Sequence, residues 1–286
     1  MNLANEWQYY EIIYMANGEK LERWGEFTLI RPDPQIIWNK KSFENKWKNA
    51  NARYNRSQTG GGAWEYKKKL PQSWQIKYKN LTFNIKPMGF KHTGLFPEQA
   101  VNWDWMINKI KKENREVKVL NLFAYTGGAT VACLSAGASV CHVDSSKGMV
   151  GWAKENVESS RLSDRPVRYI IDDVVKFVQR EIRRGNKYDV IVMDPPSYGR
   201  GKNGEVWQFE DSISNLVELC MQILSENPVF FLINSYTTGI SAEVLANILK
   251  INMKKNGKIS AGEIGLPMTN SKLVLPCGIF GRWEKE

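Results

Sequence analysis

Histidine is almost missing from this chain, with His92 and His142 the only two in 286 residues. A histidine-built metal centre or a Ser-His-Asp triad is therefore poorly supplied. Cysteine is scarce and scattered. Cys133, Cys141, Cys220 and Cys277 form no C-x-x-C pair, which argues against a zinc site and against a disulfide framework. No bound metal is expected. No apolar run approaches the roughly 20 residues needed to cross a bilayer. The start, MNLANEWQYYEIIYMANGEK, has no basic stretch leading into an apolar signal core. The expectation is a cytoplasmic protein without a membrane partner. Internal repeats, low-complexity tracts and a G-x-G-x-x-G dinucleotide fingerprint are also missing.

The composition is that of a chain with a proper core, 42% apolar and 12% aromatic. The net charge of +10 is unevenly spread: residues 1–118 hold 21 Lys/Arg against 12 Asp/Glu, the remainder 19 against 18. Eight of the eleven tryptophans also fall in that first part. A basic, Trp-rich segment beside a near-neutral one suggests a polyanion-binding module attached to a chemical one. The plainer alternative is a small β domain with a Trp core and a solvated basic face.

Up to residue 88 the pattern reads as a small α+β domain of order strand-strand-helix-strand-strand. YYEIIYM (9–15) and EFTLIRP (26–32) are β-rich. SFENKWKNANARY (42–54) has helical spacing, with Ser42 as N-cap and Phe43, Trp47 and Ala50 on one face. SQTGGGA reads as a loop, and SWQIKYKNLTFNIKP (73–87) as a hairpin turning at Lys79-Asn80. Residues 89–286 form the second expected domain, whose rhythm from 117 onward is alternating. Strands at 117–123, 138–144, 167–171, 188–194 and 229–234 are separated by helices beginning near Gly128, Ser146, Asp173, Ser212 and Ser241. Buried strands alternating with crossover helices imply a doubly wound, Rossmann-like α/β sheet. KISAGEIGL and KLVLPCGIFGRW add an antiparallel C-terminal hairpin.

The chemistry gathers at strand ends, where open α/β sheets bind their ligands. The first turn, NLFAYTGGAT, holds Phe123, Ala124, Tyr125, Thr126, Gly127 and Gly128. Its glycines let a ligand approach the backbone and open a helix whose first N–H groups favour negative charge. The second strand ends at Asp144-Ser145, where a carboxylate can accept from a ribose diol. The third ends at Asp172-Asp173-Val174, where a carboxylate can accept from an adenine amino group and a backbone N–H can serve a ring nitrogen. The fourth ends in MDPPSYGRG, with Asp194, Pro195, Pro196 and Tyr198 on a stiff exit. Each alone reads equally as a helix cap or a rigid loop. Together they provide for an amino-acid tail, a ribose, an adenine and a reacting group, which fits S-adenosylmethionine.

Residues 117–283 resemble a class I S-adenosylmethionine-dependent methyltransferase. The nearest likeness is to the family of bacterial large-subunit ribosomal RNA cytosine-5 methyltransferases and their uncharacterised relatives. VLNLFAYTGG, HVDSSKGMVGWAKENV, IDDVVKFV and YDVIVMDPPSYG match that family's motifs in order and spacing. GFKHTGLFPEQ (89–99) resembles its segment that folds over the cofactor, which implies a cofactor-binding role for Thr93, Phe96 and Gln99. The first domain is similar to the family's central domain, and the family's leading PUA-type RNA-binding domain is not expected here. Asn121 stands where the general methyltransferase pattern has an acid, and Phe123 and Tyr125 replace two of its glycines, as they do in the resembled family. INSYTTG lacks the cysteine that the family's ribosomal RNA members carry after the fifth strand, and without a thiolate carbon-5 chemistry is not expected. The resemblance implies methylation of a nitrogen or oxygen of RNA. In that reading Asp194 and the Pro-Pro carbonyls hold the acceptor, and Tyr198 stacks on a base drawn from its helix. A small-molecule or protein methyltransferase, its basic module serving as a lid or homodimer surface, and a non-catalytic cofactor-fold module stay open as alternatives.

Overall fold

In a computed structural model, the structure describes residues 1–39, 44–57, 61–201 and 204–286. The chain divides into two compact units: Met1–Ala100 with Gly265–Cys277, and Val101–Ile264 with Gly278–Glu286. The compact first unit thus runs twelve residues past the boundary at 88 read from the strand and helix pattern, and it also takes the tip of the C-terminal hairpin.

The large sheet contains β1 (Lys118–Leu122), β2 (Ser139–Asp144), β3 (Val167–Ile171), β4 (Val190–Met193), β5 (Phe230–Ser235), β6 (Lys258–Pro267) and β7 (Val274–Glu284). These seven lie in the order 3-2-1-4-5-7-6. β1 to β5 are mutually parallel, and β7 runs antiparallel to β5. The near-continuous apolar run of β4, Val190–Met193, is buried throughout, as expected of a strand with helices on both faces. Between the strands stand α1 (Gly128–Ser135), α2 (Lys147–Ser159), α3 (Val174–Arg184), α4 (Phe209–Met221) and α5 (Ala242–Asn252). The Ser146 hydroxyl caps α2 by accepting from the Met149 N–H, and Asp173 caps α3 by accepting from the Lys176 N–H at 2.9 Å. α4 begins at Phe209 rather than near Ser212. Glu210 and Asp211 fill its first turn, where negative charge suits the helix dipole, and Phe209 is buried. Chain order reverses between β1 and β4, so their carboxyl ends flank the crevice in which such sheets bind ligands.

The first unit holds more strands than the sequence suggests. Tyr10–Ala16, Glu19–Trp24 and Phe27–Pro32 form an antiparallel run, and Ala52–Arg56 pairs parallel to the third of them. Gly62–Tyr66 returns against Ala52–Arg56, so part of SQTGGGA leads into a strand. The hairpin Trp74–Tyr78/Leu81–Ile85 turns at Lys79-Asn80 as expected. The helix covers Glu44–Lys48, and the Ser42 cap and Phe43 lie outside the described residues, as do Gln58, Thr59 and Gly60. Glu19–Trp24 escapes periodicity because EKLERW puts the charged Glu22 in the core beside Leu21. Tryptophan holds this unit together. Trp24 is fully buried, and Trp7, Trp38, Trp64 and Trp74 each donate their indole N–H to a backbone carbonyl at 2.8–2.9 Å. None of them is freely exposed, so the plainer Trp-core reading describes these side chains.

Candidate active site

The turn after β1 is left-handed at alternate residues. Phe123, Tyr125 and Gly127 have φ of 53°, 50° and 82°. The two bulky residues that replace glycines keep the glycine conformation, at a cost of about 1–2 kcal/mol each. Hydrogen bonds to β2 support the strain: the Ala124 N–H donates to the Val143 carbonyl at 3.0 Å, and the Tyr125 N–H to Asp144 Oδ2 at 2.8 Å. Thr126 is buried, and its carbonyl accepts from the Asn156 amide. Gly127 and Gly128 then open α1 without a side-chain cap. A Cβ on Gly127 would lie 2.9 Å from that of Ala153, and one on Gly128 2.8 Å from the Trp103 ring. Gly127→Ala is expected to cost about 2 kcal/mol of stability, from the positive φ and the close approach of α2 together. Thermal unfolding measures it, and an unchanged midpoint would show that the turn relaxes freely.

Asn121 at the expected acid position has a physical reason. Its side-chain amide donates to Thr130 Oγ1 at 3.0 Å, and Thr130 shares a 2.9 Å hydrogen bond with His142 Nδ1. All three are buried, and burial pushes the His142 imidazole down to about 4, so it is neutral. A carboxylate at position 121 would be a buried charge with no cation among these partners.

The carboxylates at the tips of β2 and β3 line one pocket of about 260 Å³. Phe123, Asp144, Ser145, Asp172, Asp173 and Val174 all face it. Asp144 accepts one backbone N–H on each oxygen, from Tyr125 and from Ser146, both at 2.8 Å. Burial raises its pKa above the ordinary value, with those two N–H groups opposing. The two aspartates after β3 differ. Asp172 is ion-paired to Arg180 and accepts the Asp173 N–H, whereas Asp173 spends only Oδ1 on capping α3. The capping role of Asp173 is therefore real, and it leaves Oδ2 uncommitted on a residue that lines the pocket.

At the β4 exit the Asp194 N–H reaches the Leu122 carbonyl at 3.4 Å, so this aspartate stands beside the end of β1. Pro195 is buried and Pro196 exposed. Tyr198–Arg200 then pairs with Val206–Gln208 in a small hairpin that the sequence did not suggest. Trp207 on this hairpin packs on Phe123 with ring centroids 4.9 Å apart, and its indole N–H donates to the Pro196 carbonyl at 2.7 Å. That carbonyl, expected to hold the acceptor, gives one of its two lone pairs to Trp207, which ties the Pro-Pro exit to the first turn. Tyr198 is 52% exposed, with Arg200 Nε donating to its hydroxyl at 2.8 Å, so it is no packing residue under the loop. Lys176 and Glu205 form an ion pair at the pocket. Trp207, Lys176 and Glu205 were missed; the alternation in EVWQ was the only available signal. Thr93, Phe96 and Gln99 belong to the first unit, where Thr93 and Gln99 are buried and Phe96 precedes a single turn of 3₁₀-helix, Pro97–Gln99.

A doubly wound sheet of order 3-2-1-4-5-7-6, with a glycine turn and the carboxylates Asp144, Asp172 and Asp173 lining one crevice at its strand tips, has the architecture of ligand-binding open α/β proteins. Residues 47–234 match the profile of the S-adenosylmethionine-dependent methyltransferase family. The chain belongs to that family. It is 28% identical over 192 residues to the ribosomal RNA large subunit methyltransferase K/L of Colwellia psychrerythraea, covering 66% of this chain and 26% of the relative. It is 41% identical over 90 residues to the ribosomal RNA large subunit methyltransferase I of an Enterobacter strain, covering 31% of this chain and 23% of the relative. The chain thus spans about a quarter of the length of these relatives. Among solved structures it matches the SAM-dependent methyltransferase from Agrobacterium tumefaciens with a TM-score of 0.95 at 36% identity, covering 100% of this chain and 93% of that one. A methyltransferase from Streptococcus mutans shares the fold, with a TM-score of 0.75 at 19% identity over 98% and 76% of the two chains. Among the described residues, no helix is long and apolar enough to cross a membrane.

Proposed function

We propose that the protein methylates a nitrogen or oxygen of RNA, with ribosomal RNA as substrate, in the cytoplasm. The observation that carries this reading is the β4 exit: Asp194 and the two prolines stand at the switch point, beside a pocket ringed by Asp144, Asp172 and Asp173. The names of the ribosomal RNA methyltransferase relatives support the substrate, and so does the basic first unit, whose Lys67, Lys68, Lys69 and Lys77 are exposed.

In this reading Asp144 accepts from the ribose diol with the lone pairs its two N–H partners leave. Asp173 Oδ2 accepts from the adenine amino group, and the Val174 N–H serves a ring nitrogen. Asp172 is committed to Arg180. The Phe123–Gly128 turn and the first N–H groups of α1 take the amino-acid tail, and Thr93, Phe96 and Gln99 keep the cofactor role that the resemblance implies. The cofactor supplies a methyl group on a sulfonium, already activated for transfer. What remains for the protein is alignment and exclusion of water. Asp194 orients the acceptor by taking its N–H or O–H and receives the proton released as the new bond forms. Tyr198 is exposed enough to stack on the target base.

Transfer proceeds without a covalent enzyme–base adduct. Cys133 and Cys141 are buried, with their thiols pushed up to about 12 and 11, and burial also raises those of Cys220 and Cys277 well above the ordinary range. None is a thiolate at neutral pH. Replacing all four by serine or alanine, in a variant confirmed to fold, is expected to leave transfer within about tenfold of wild type, roughly 1.4 kcal/mol of barrier. A stable adduct with RNA carrying 5-fluorocytosine, lost on Cys277→Ala, would reverse this conclusion. The substrate itself is tested by incubating the purified protein and labelled S-adenosylmethionine with RNA from cells lacking the gene. Label in a single ribosomal RNA nucleotide is expected; label only in protein or small-molecule fractions would refute the RNA reading.

A further inference from the structure

Asn234, at the C-terminal end of β5, lies in a buried polar relay that the roles above do not use. Arg282 on β7 is 7% exposed, and its guanidinium sits 4.4 Å from the Trp105 ring centroid and 4.0 Å from that of Phe280. No carboxylate forms an ion pair with it among the described residues, and its desolvation is offset by the two rings, one hydrogen bond to Asn102 Oδ1 and the charge of Glu284. An arginine can only donate. Asn102, itself fully buried, must therefore turn its oxygen to Arg282 and its amide nitrogen the other way. That nitrogen donates to Asn234 Oδ1 at 2.8 Å. The Asn234 oxygen is thereby fixed as an acceptor, and its NH₂ group is left as a donor with no hydrogen-bond partner among the described residues. A cation two residues removed sets the polarity of this amide.

The strand register brings the backbone of Asn234 beside that of Asp194. Met193 on β4 pairs with Ile233 on β5, and both side chains lie in the same core cluster. The residues that follow, Asp194 and Asn234, therefore leave this register side by side, their backbones about one strand spacing, roughly 4.8 Å, apart. The two exits are also stitched to each other. Thr237 Oγ1 donates to Ser197 Oγ at 2.9 Å, and the Thr237 N–H donates to Ser235 Oγ at 3.2 Å.

We propose that Asn234 is a specificity-determining residue, donating its amide N–H to a carbonyl oxygen or ring nitrogen of the target base beside the nitrogen that Asp194 holds. This rests on the RNA-methyltransferase reading and narrows it. An acceptor side chain and a donor side chain at this spacing match neighbouring atoms on one edge of a planar base, where an N–H stands beside an acceptor. The methylated atom is then a base nitrogen, not a ribose oxygen. In the transfer, the nitrogen lone pair forms the N–C bond, and the methyl group's bond to sulfur breaks with its electrons remaining on sulfur. The nitrogen's proton goes to Asp194 and from there to water.

Two near-isosteric variants test this on large-subunit ribosomal RNA from cells lacking the gene. Asn234→Asp replaces the donor by an acceptor. Asn102→Asp keeps the Arg282 partner, as a charged pair, but removes the donor that fixes Asn234, so the Asn234 amide turns its nitrogen towards position 102. Both are expected to lower transfer about 100-fold or more, with S-adenosylmethionine affinity by calorimetry within about threefold and no fall in the melting temperature of Asn102→Asp. A purely structural relay predicts the reverse for Asn102→Asp, wild-type transfer or better. Nucleoside mass spectrometry of the wild-type product is expected to give an N-methylated base. Wild-type rates in both folded variants, or a 2′-O-methyl ribose product, would overturn the assignment while leaving RNA methylation intact. If the wild-type protein labels no RNA, the parent reading fails and takes this one with it.

Discussion

Asp144→Ala is expected to weaken S-adenosylmethionine binding by about 2–4 kcal/mol, a rise in Kd of roughly 30- to 1,000-fold. The carboxylate carries two burdens. It accepts the Tyr125 and Ser146 N–H groups, which holds the left-handed turn against β2, and in the proposed function it also accepts the ribose hydroxyls. Alanine removes both, so two buried hydroxyls lose their acceptor in the complex and the strained turn loses a support in the free protein. Asp144→Asn separates the two effects. An amide can accept from only one of the two N–H groups and must aim its own NH₂ at the other, so its turn is impaired much as in the alanine variant. Calorimetry with S-adenosylmethionine, beside thermal unfolding of the free protein, distinguishes them. A Kd within threefold of wild type for Asp144→Ala would take this residue out of the cofactor site.

The parallel sheet and the carboxylates at its edge were legible in the sequence because their determinants are local. Apolar runs such as VIVM, caps such as Ser146 and Asp173, and the carboxylates at the ends of β2, β3 and β4 can be read within ten residues. What escaped depends on partners distant in the chain. Glu19–Trp24 reads as polar because Glu22 is neutralised by Arg31, nine residues later and one strand across. The departure at Asn121 makes sense only with Thr130 and His142 beside it. Trp207 becomes a site residue through contacts with Pro196 and Phe123, the latter 84 positions earlier in the chain. The polarity of Asn234 is set by Arg282, on another strand and read through Asn102. Composition likewise counted the tryptophans but could not tell that the indoles of Trp7, Trp38, Trp64 and Trp74 are spent on backbone carbonyls. Patterns report which face is buried; they do not report which charges are buried together.

The largest loss of stability is expected from Glu22→Gln, about 3–5 kcal/mol in the first unit. Glu22 is fully buried. Its Oε2 accepts from Arg31 Nε at 2.6 Å, and its Oε1 from Arg31 Nη2 at 2.8 Å and from the Tyr10 hydroxyl at 2.6 Å. Glutamine preserves the shape but leaves Arg31 as a buried cation over Trp24, with an amide NH₂ turned towards one of its donors. Arg31 also donates to the Lys91 carbonyl at 3.1 Å, so the loss extends to the segment leading to Thr93. The same pair makes the wild type acid-sensitive. Burial alone would raise the Glu22 carboxyl, but Arg31 and then Lys20 override it and hold it at about 2, down from 4.5. A depressed carboxylate contributes stability that is fully present above pH 4.5 and lost as pH falls towards 2, here about 3 kcal/mol. Urea denaturation of the full chain between pH 6 and pH 2.5 is expected to show this loss in the wild type and a correspondingly shallower pH dependence in Glu22→Gln. Parallel pH profiles would mean that Glu22 protonates together with the ordinary surface carboxylates. A variant within 1 kcal/mol of wild type at pH 7 would mean that Arg31 finds another anion.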